Sequence, residues 1–274
     1  MSLPAIIIAR GGSQRVPRKN VLAFCGRPLV EWSIIQAKAS NSVTDVFLST
    51  DDDEIADIGK RNNINVIRRP TMPHETPGDV PIHMAVKLLQ SRGYQFEALV
   101  PLLPTSALRL PSDIDNAISL YWRYAKPIDS YVAGVIRTHV GNYYPQTDIH
   151  YANRIFNPYG KGKWYRFLET GSIVVQPADI FTKQECTKQT RSPKNWLYNW
   201  RNEKRLLKLY PTLVPYEMKF WQFFDIDTQE EFEHSELIFQ KFILDKGYYK
   251  VNMSLGDTTY IENSLEVLLH IKEQ

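Results

Sequence analysis

Apolar and polar positions fall into two kinds of block along the chain: short unbroken apolar runs, and longer stretches in which apolar residues recur every three or four positions. The first run, Ala5 to Ala9, holds three isoleucines and no polar residue, the pattern of a strand buried on both faces of a parallel sheet. Leu29, Trp32, Ile35 and Ala39 then recur at helical spacing within residues 28–40, which predicts a helix packed on that sheet. Asp45 to Thr50 reads as a second strand, and the acids Asp51, Asp52, Asp53 and Glu54 suit the first turn of a helix through capping and dipole. Asn65 to Ile67 reads as a short strand, Asp79 to Leu89 as a helix, and Ala98 to Leu103 as another buried strand. Ser112-Asp113 is expected to cap a helix running through Ile114, Ala117, Ile118 and Tyr121, and strands are expected at Ser130 to Ile136 and Glu169 to Val175. Phe223 to Thr228 reads as a last strand. Thr228-Gln229-Glu230-Glu231 has the form of a capping box for a helix continuing through Phe232, Leu237, Phe239 and Phe242. Short apolar strands alternating with amphipathic helices predict an α/β protein: a Rossmann-like three-layer α/β/α sheet, mostly parallel and mixed.

Composition narrows the class. A chain of 274 residues with 43% hydrophobic and 23% charged residues suits one large domain spanning 1–274. The net charge of +3 is too mild for a nucleic-acid binder. The cations of residues 191–208, interleaved with Trp196, Tyr198 and Trp200, therefore read as a solvated or dimer-facing segment. Cys25 and Cys186 have no metal-type spacing and suggest a reducing compartment, and the six histidines include no pair at helical spacing that would build a zinc site. With no apolar run of about 18 residues and no signal-peptide pattern, the expectation is a cytoplasmic protein without a membrane partner.

Two stretches carry candidate chemistry. After Ala9, the Gly11-Gly12-Ser13 turn is followed by Pro17, which forbids a continuous helix, and Arg10, Arg15, Arg18 and Lys19 place four cations on the resulting loop. A loop with free amides and several cations suits a triphosphate; an ordinary solvated basic loop is the other reading. The spacing matches neither a P-loop nor a dinucleotide fingerprint. Near the other end, Asp225 and Asp227 are two apart and would project together from a strand, where they can share one Mg²⁺. Capping of the following helix is the competing role for this end of the motif.

These stretches resemble the CMP-sugar synthetases, the acylneuraminate cytidylyltransferases and, more distantly, the KDO cytidylyltransferases. The family's Ala-Arg-x-x-Ser-Lys-x-x-Pro-x-Lys-Asn loop is matched by Ala9, Arg10, Ser13, Pro17, Lys19 and Asn20, with Gln14 at the lysine position. Ser49-Thr50-Asp51, Arg69-Pro70 and Glu75-Thr76 match further motifs, and Pro104-Thr105-Ser106-Ala107-Leu108-Arg109 resembles the family's Pro-Thr-Ser-Pro-Leu-Arg. Leu103 stands where the family has a glutamine near the acceptor sugar, and Thr170-Gly171 where it has Asn-Gly. Phe224-Asp225-Ile226-Asp227-Thr228 resembles the metal-holding Ile-Asp-Ile-Asp-Thr motif.

The resemblance implies transfer of CMP from CTP to the anomeric hydroxyl of a 2-keto sugar acid, with release of pyrophosphate. It implies that Arg10, Arg15, Lys19 and Asp227 are catalytic, and that Asp225 and Asp227 hold Mg²⁺. Ala9, Gly11, Gly12, Ser13, Gln14, Asn20, Asp51, Arg69, Thr105, Ser106, Arg109 and Gly171 would contact substrate. It also implies that residues 138–168, rich in aromatics, form an arm exchanged across a homodimer; a long surface insertion is the plainer reading. Two alternatives stay open: a GT-A glycosyltransferase, which also pairs an Asp-x-Asp motif with a nucleotide-sugar, and a non-catalytic nucleotide-binding homologue.

Overall fold

The computed structural model describes residues 2–128, 130–138, 166–183, 213–252 and 257–260. Seven strands form one sheet in the order β5-β4-β1-β6-β8-β7-β9. These are β1 (Ala5–Ala9), β4 (Val46–Thr50), β5 (Asn65–Arg68), β6 (Ala98–Leu102), β7 (Tyr131–Thr138), β8 (Arg166–Pro177) and β9 (Leu213–Glu217); β2 (Ala23–Phe24) and β3 (Arg27–Pro28) make a small separate ribbon. β1 pairs in parallel with β4 and with β6, Ile7 lying opposite both Leu48 and Leu102, and β4 pairs in parallel with β5. β8 runs antiparallel to both β6 and β7, which makes the sheet mixed. The expected fold class is the one found.

All five residues of β1 are buried, as a central strand covered on both faces requires. One face is covered by α1 (Leu29–Ala39), α2 (Asp53–Arg61) and α4 (Pro111–Leu120), through Val30, Ile34, Ile55, Ile58, Ile114 and Ala117. The other is covered by α3 (Asp79–Ser91) and the short α5 (Ile180–Lys183) through Ile82, Val86, Leu89 and Phe181. The residues expected to seat α1 on the sheet do something else. Leu29 and Trp32 face α6 (Gln229–Phe239) and the Tyr249 region, in a second core with Phe24, Phe232 and Phe239. α1 is buried on two sides, so its single apolar periodicity reported the wrong one. Trp32 settles into this second core with its ring 4.6 Å from that of Phe239 and its indole N–H donated to the Phe24 carbonyl at 2.7 Å.

Other boundaries shift for local reasons. α4 starts one turn earlier than the Ser112-Asp113 cap: Pro111 takes the first helical position, and Asp113 accepts the Leu110 N–H at 2.7 Å. The capping box at Thr228 forms as expected, with Glu231 accepting the Thr228 N–H at 2.8 Å, but Leu237 is exposed rather than core. Residues 223–228 are not a strand; they form an extended loop between a short 3-10 turn, Phe220–Gln222, and α6. Beyond Lys246, β10 (Tyr249–Asn252) and β11 (Asp257–Tyr260) pair antiparallel. Of the expected arm, residues 139–165 lie outside the described residues, as does the basic segment 191–208; its two ends, Thr138 and Arg166, are paired across β7 and β8.

Candidate active site

The chain fills the sheet from β1 toward β5 and then crosses to β6, so the strand order reverses between β1 and β6. Open α/β sheets hold ligands outside the carboxyl ends of strands at such a switch point. The loops that leave those ends here are residues 10–20 and 103–110, which carry the basic cluster and the motif resembling Pro-Thr-Ser-Pro-Leu-Arg.

The first loop is braced from beneath. The Gly11 N–H donates to the Asp51 carboxylate at 3.1 Å, so this amide is engaged rather than free for a phosphate. Asp51 also faces the Arg69 guanidinium at 3.5 Å, both side chains nearly buried, and Arg69 donates to the Ala9 carbonyl at 3.4 Å. Burial pulls the Arg69 guanidinium down from its ordinary value while Asp51 opposes the shift. Ala9, Gly11, Asp51 and Arg69, all expected to touch substrate, here lock together the ends of β1, β4 and β5. A side chain at Gly11 would run into Asp52, its Cβ falling 2.9 Å from the Asp52 Cβ and Cγ. Buried Asn20 holds the other end of the loop by donating to the Arg10 carbonyl at 2.8 Å. Gly12 and Gln14 lie on the loop's exposed surface, with Ser13 half-buried between them.

The cations are arranged unequally. Arg18, in the left-handed region at φ 57°, binds Asp52 and Glu54 and secures the loop to the start of α2. Arg10 makes no ion pair among the described residues; it donates to the His74 carbonyl at 3.0 Å and lies 3.3 Å from the His74 Nε2. Arg15 meets the Asp227 carboxylate at 2.9 Å. Lys19 is buried and reaches both the Ile226 carbonyl and, at 3.3 Å, Asp227. Burial lowers its pKa, against the attraction of Asp227.

The acidic loop approaches from the other side. Ile226 is fully buried in the second core, its N–H bonded to the Thr105 carbonyl at 3.0 Å, and Ser106 donates to Asp225 at 3.3 Å. Burying a side chain of this size contributes about 1.5–3 kcal/mol and turns its two neighbours outward. Asp225 is exposed and Asp227 half-exposed on either side of Ile226, without the ladder of a strand. No group of three or more His, Cys, Asp or Glu residues gathers among the described residues. Each Asp227 oxygen faces a cation, Lys19 or Arg15, and one Asp225 oxygen accepts from Ser106. Carboxylates are the oxygen donors that suit a hard divalent cation, which would have to displace these partners and complete its shell with phosphate and water.

Arg109, expected to touch substrate, is turned inward. Arg109 is fully buried, donating to the Leu103, Ser106 and Ser172 carbonyls and, at 2.6 Å, to the Ser33 hydroxyl; burial lowers its pKa to about 10. It rivets the 103–110 turn from below and does not face the cleft. Gly171 lies in β8 at φ +66° with open space beside it. Arg18, read as one of the cations of a phosphate cradle, instead pairs with Asp52 and Glu54. Sequence reasoning missed His74 and Gln222, whose contacts with Arg10, Leu108 and Asp113 are distant in sequence and leave no local pattern.

Residues 4–117 match the family model for cytidylyltransferases. Over 126 residues the chain is 33% identical to a CMP-N,N'-diacetyllegionaminic acid synthase of Legionella pneumophila, covering 44% of this chain and 53% of that one. It is 33% identical over 106 residues to a pseudaminic acid cytidylyltransferase of Campylobacter jejuni, covering 38% and 46% of the two chains. These alignments span about half the length of each relative. Among solved structures, a CMP:2-keto-3-deoxy-manno-octonic acid synthetase complexed with CTP superimposes with a TM-score of 0.62 at 15% identity, over 89% of this chain and 100% of that one. A 4-diphosphocytidyl-2C-methyl-D-erythritol synthase from Anaerococcus prevotii does so with a TM-score of 0.61 at 14% identity, over 88% and 96%. At these identities the likeness is one of fold.

Proposed function

We propose, from the match of residues 4–117 to the cytidylyltransferase family model, that the chain transfers CMP from CTP to the anomeric hydroxyl of a 2-keto sugar acid. The observation that carries the reading is the pairing of Arg15 and Lys19 with Asp227, which brings the basic loop and the acidic pair to one place. In the reaction the sugar oxygen forms a bond to the α-phosphorus. The bond from that phosphorus to the β-phosphate oxygen breaks, pyrophosphate leaves with the electron pair, and the hydroxyl proton passes to water. Charge neutralisation and positioning do most of the work in such a transfer.

Arg10, without a carboxylate partner among the described residues, and Arg15 and Lys19 beside it in the loop would hold the triphosphate. Asp225 and Asp227 would hold Mg²⁺, which when bound neutralises phosphate charge and eases ionisation of the attacking hydroxyl. The sialic-acid-like acids named in the relatives, legionaminic and pseudaminic, support this substrate class. We further take the chain to act as a cytoplasmic homodimer. Its two separated cysteines suit a reducing compartment, and its aromatic segment between β7 and β8 suits an intersubunit arm.

The test is pyrophosphate release from CTP with Mg²⁺ and a panel of N-acetylneuraminate, legionaminate, pseudaminate and KDO, with Asp227→Ala alongside. Release with one acid, lost in the variant, is the expected result. Tight CTP binding with no release from any acid would favour a non-catalytic homologue, and transfer from a nucleotide-sugar without pyrophosphate would favour a glycosyltransferase.

A further inference from the structure

The loop that carries Asp225 and Asp227 has no strand ladder to fix its place, so something else must. Upstream, the buried Gln222 uses its whole amide. Its Oε1 accepts the Lys219 N–H at 2.9 Å, and its Nε2 donates to the Leu108 carbonyl at 3.1 Å and to Asp113 at 2.6 Å. Asp113, buried at the start of α4, accepts in addition the Leu110 N–H at 2.7 Å and the Tyr216 hydroxyl of β9 at 2.8 Å. One carboxylate therefore gathers donors from α4, from the end strand of the sheet and from the turn just ahead of the acidic loop. A buried carboxylate without such donors is costly, so the three are held to it strongly.

Both ends of the acidic loop are anchored: Gln222 before it and the Thr228 capping box after it. The Leu108 carbonyl that Gln222 binds belongs to the same turn whose Thr105 and Ser106 bind Ile226 and Asp225. Gln222 and the acidic loop therefore rest on one turn, residues 103–110.

We propose that Gln222, through Asp113 and Leu108, is a positioning residue that sets where the Asp225 and Asp227 carboxylates stand. This rests on the metal-dependent cytidylyltransferase reading above. Groups that orient carboxylate ligands from behind commonly change metal affinity when removed, by about 10-fold or more.

The experiment uses the full chain and three readouts: thermal unfolding, CTP affinity without metal, and Mn²⁺ affinity in the presence of CTP, followed by the free Mn²⁺ signal in electron paramagnetic resonance. Gln222→Met keeps the side chain's length and removes its three hydrogen bonds. The expected result is roughly tenfold weaker Mn²⁺ binding, with CTP affinity within about twofold of wild type. A purely structural role lowers the melting temperature and leaves the Mn²⁺ affinity of the folded protein unchanged; that outcome overturns the proposal. If Gln222→Met does not fold, Tyr216→Phe, which removes one donor from Asp113, is expected to weaken Mn²⁺ binding about threefold, and an unchanged affinity overturns the proposal equally. Wild type that binds CTP but no Mn²⁺ sinks the metal reading and this inference with it. Wild type that binds no CTP sinks the nucleotide reading first.

Discussion

Arg15 and Asp227 meet at 2.9 Å, so a cation from the loop after β1 rests on a carboxylate from the far end of the chain. The contact is two-sided. It shows that the basic and acidic stretches face each other, and it leaves Asp227 neutralised by Arg15 and Lys19 rather than free. Arg15 is 60% exposed and Asp227 41%, which puts the pair in the class of surface ion pairs worth about 0–1 kcal/mol. On the proposed reading a triphosphate, with several negative charges, would outcompete one half-exposed carboxylate for this guanidinium. Nucleotide binding should then draw Arg15 off Asp227 and release the carboxylate for a cation.

Arg15→Ala is accordingly expected to act in opposite directions on the two ligands. CTP should bind more weakly, by about tenfold, the usual scale for one charge-assisted contact to phosphate. Mn²⁺ alone should bind roughly two- to fivefold more tightly, because a cation beside the site has gone. Calorimetry on the variant and wild type reads both; weaker Mn²⁺ binding in the variant would mean that the pair does not compete with the metal.

Gly11→Ala should destabilise the protein by about 1–3 kcal/mol. The added Cβ would fall 2.9 Å from the Cβ and Cγ of Asp52, and those atoms must move. Asp52 caps α2 by accepting the Ile55 N–H at 3.0 Å, and loss of such a cap alone costs about 1 kcal/mol. Urea unfolding of the variant checks this. A midpoint equal to wild type would show that Asp52 yields at no cost.

Most of the sheet was legible because its strands are buried on both faces and read as unbroken apolar runs: Ala5 to Ala9 is the plain example. The acidic loop misled in a useful way. Ile226 is buried between two outward carboxylates, so the alternation of a strand is present although residues 223–228 pair with no strand. The face of α1 was misassigned because both its sides are buried, and no periodicity distinguishes two apolar faces. The candidate site was legible as motifs but not as roles. Arg69 and Arg109 looked like ligands for an anion, yet their donors go to Asp51, to carbonyls and to Ser33. Only the fold tells a brace from a binding group.

Arg109→Met tests that distinction. The arginine is fully buried, and its removal strands the carbonyls of Leu103, Ser106 and Ser172 and the Ser33 hydroxyl away from water. A loss of about 2–5 kcal/mol in unfolding free energy is expected, together with a looser 103–110 turn. A variant as stable as wild type but unable to bind CTP would return Arg109 to the substrate.

Cys25 should be a slow thiol. Burial, with the Glu236 carboxylate adding to it, pushes its pKa up to about 12, and its Sγ donates to the Glu236 carbonyl at 3.4 Å. Only the thiolate reacts, so alkylation by iodoacetamide at neutral pH should lag that of an unfolded control by well over tenfold. Mass spectrometry of the Cys25 peptide after timed quenching measures it. Equal rates in folded and unfolded protein would mean that the β2–β3 ribbon opens freely.

The Arg18–Asp52 pair predicts an acid-sensitive hold on the basic loop. A hydrogen bond from Arg18, the largest influence, keeps the Asp52 carboxyl below its ordinary range, aided by the Ile55 N–H and opposed by burial. Because the folded pKa lies below the unfolded one, near 3.9, the contribution is complete above that value and fades as pH falls through the folded pKa. Arg18 is 43% exposed, so the ionic part is discounted to about 1 kcal/mol or less. Asp52→Asn separates this part from capping, since asparagine caps a helix as well as aspartate but does not titrate. Wild type should exceed the variant in stability at pH 6, and the gap should close as pH falls below about 3.9. Salt should narrow it at pH 6 as well, because the partly exposed pair is screened. Urea unfolding of both proteins across this range decides the matter, and a gap independent of pH would assign the whole of Asp52's effect to its place at the start of α2.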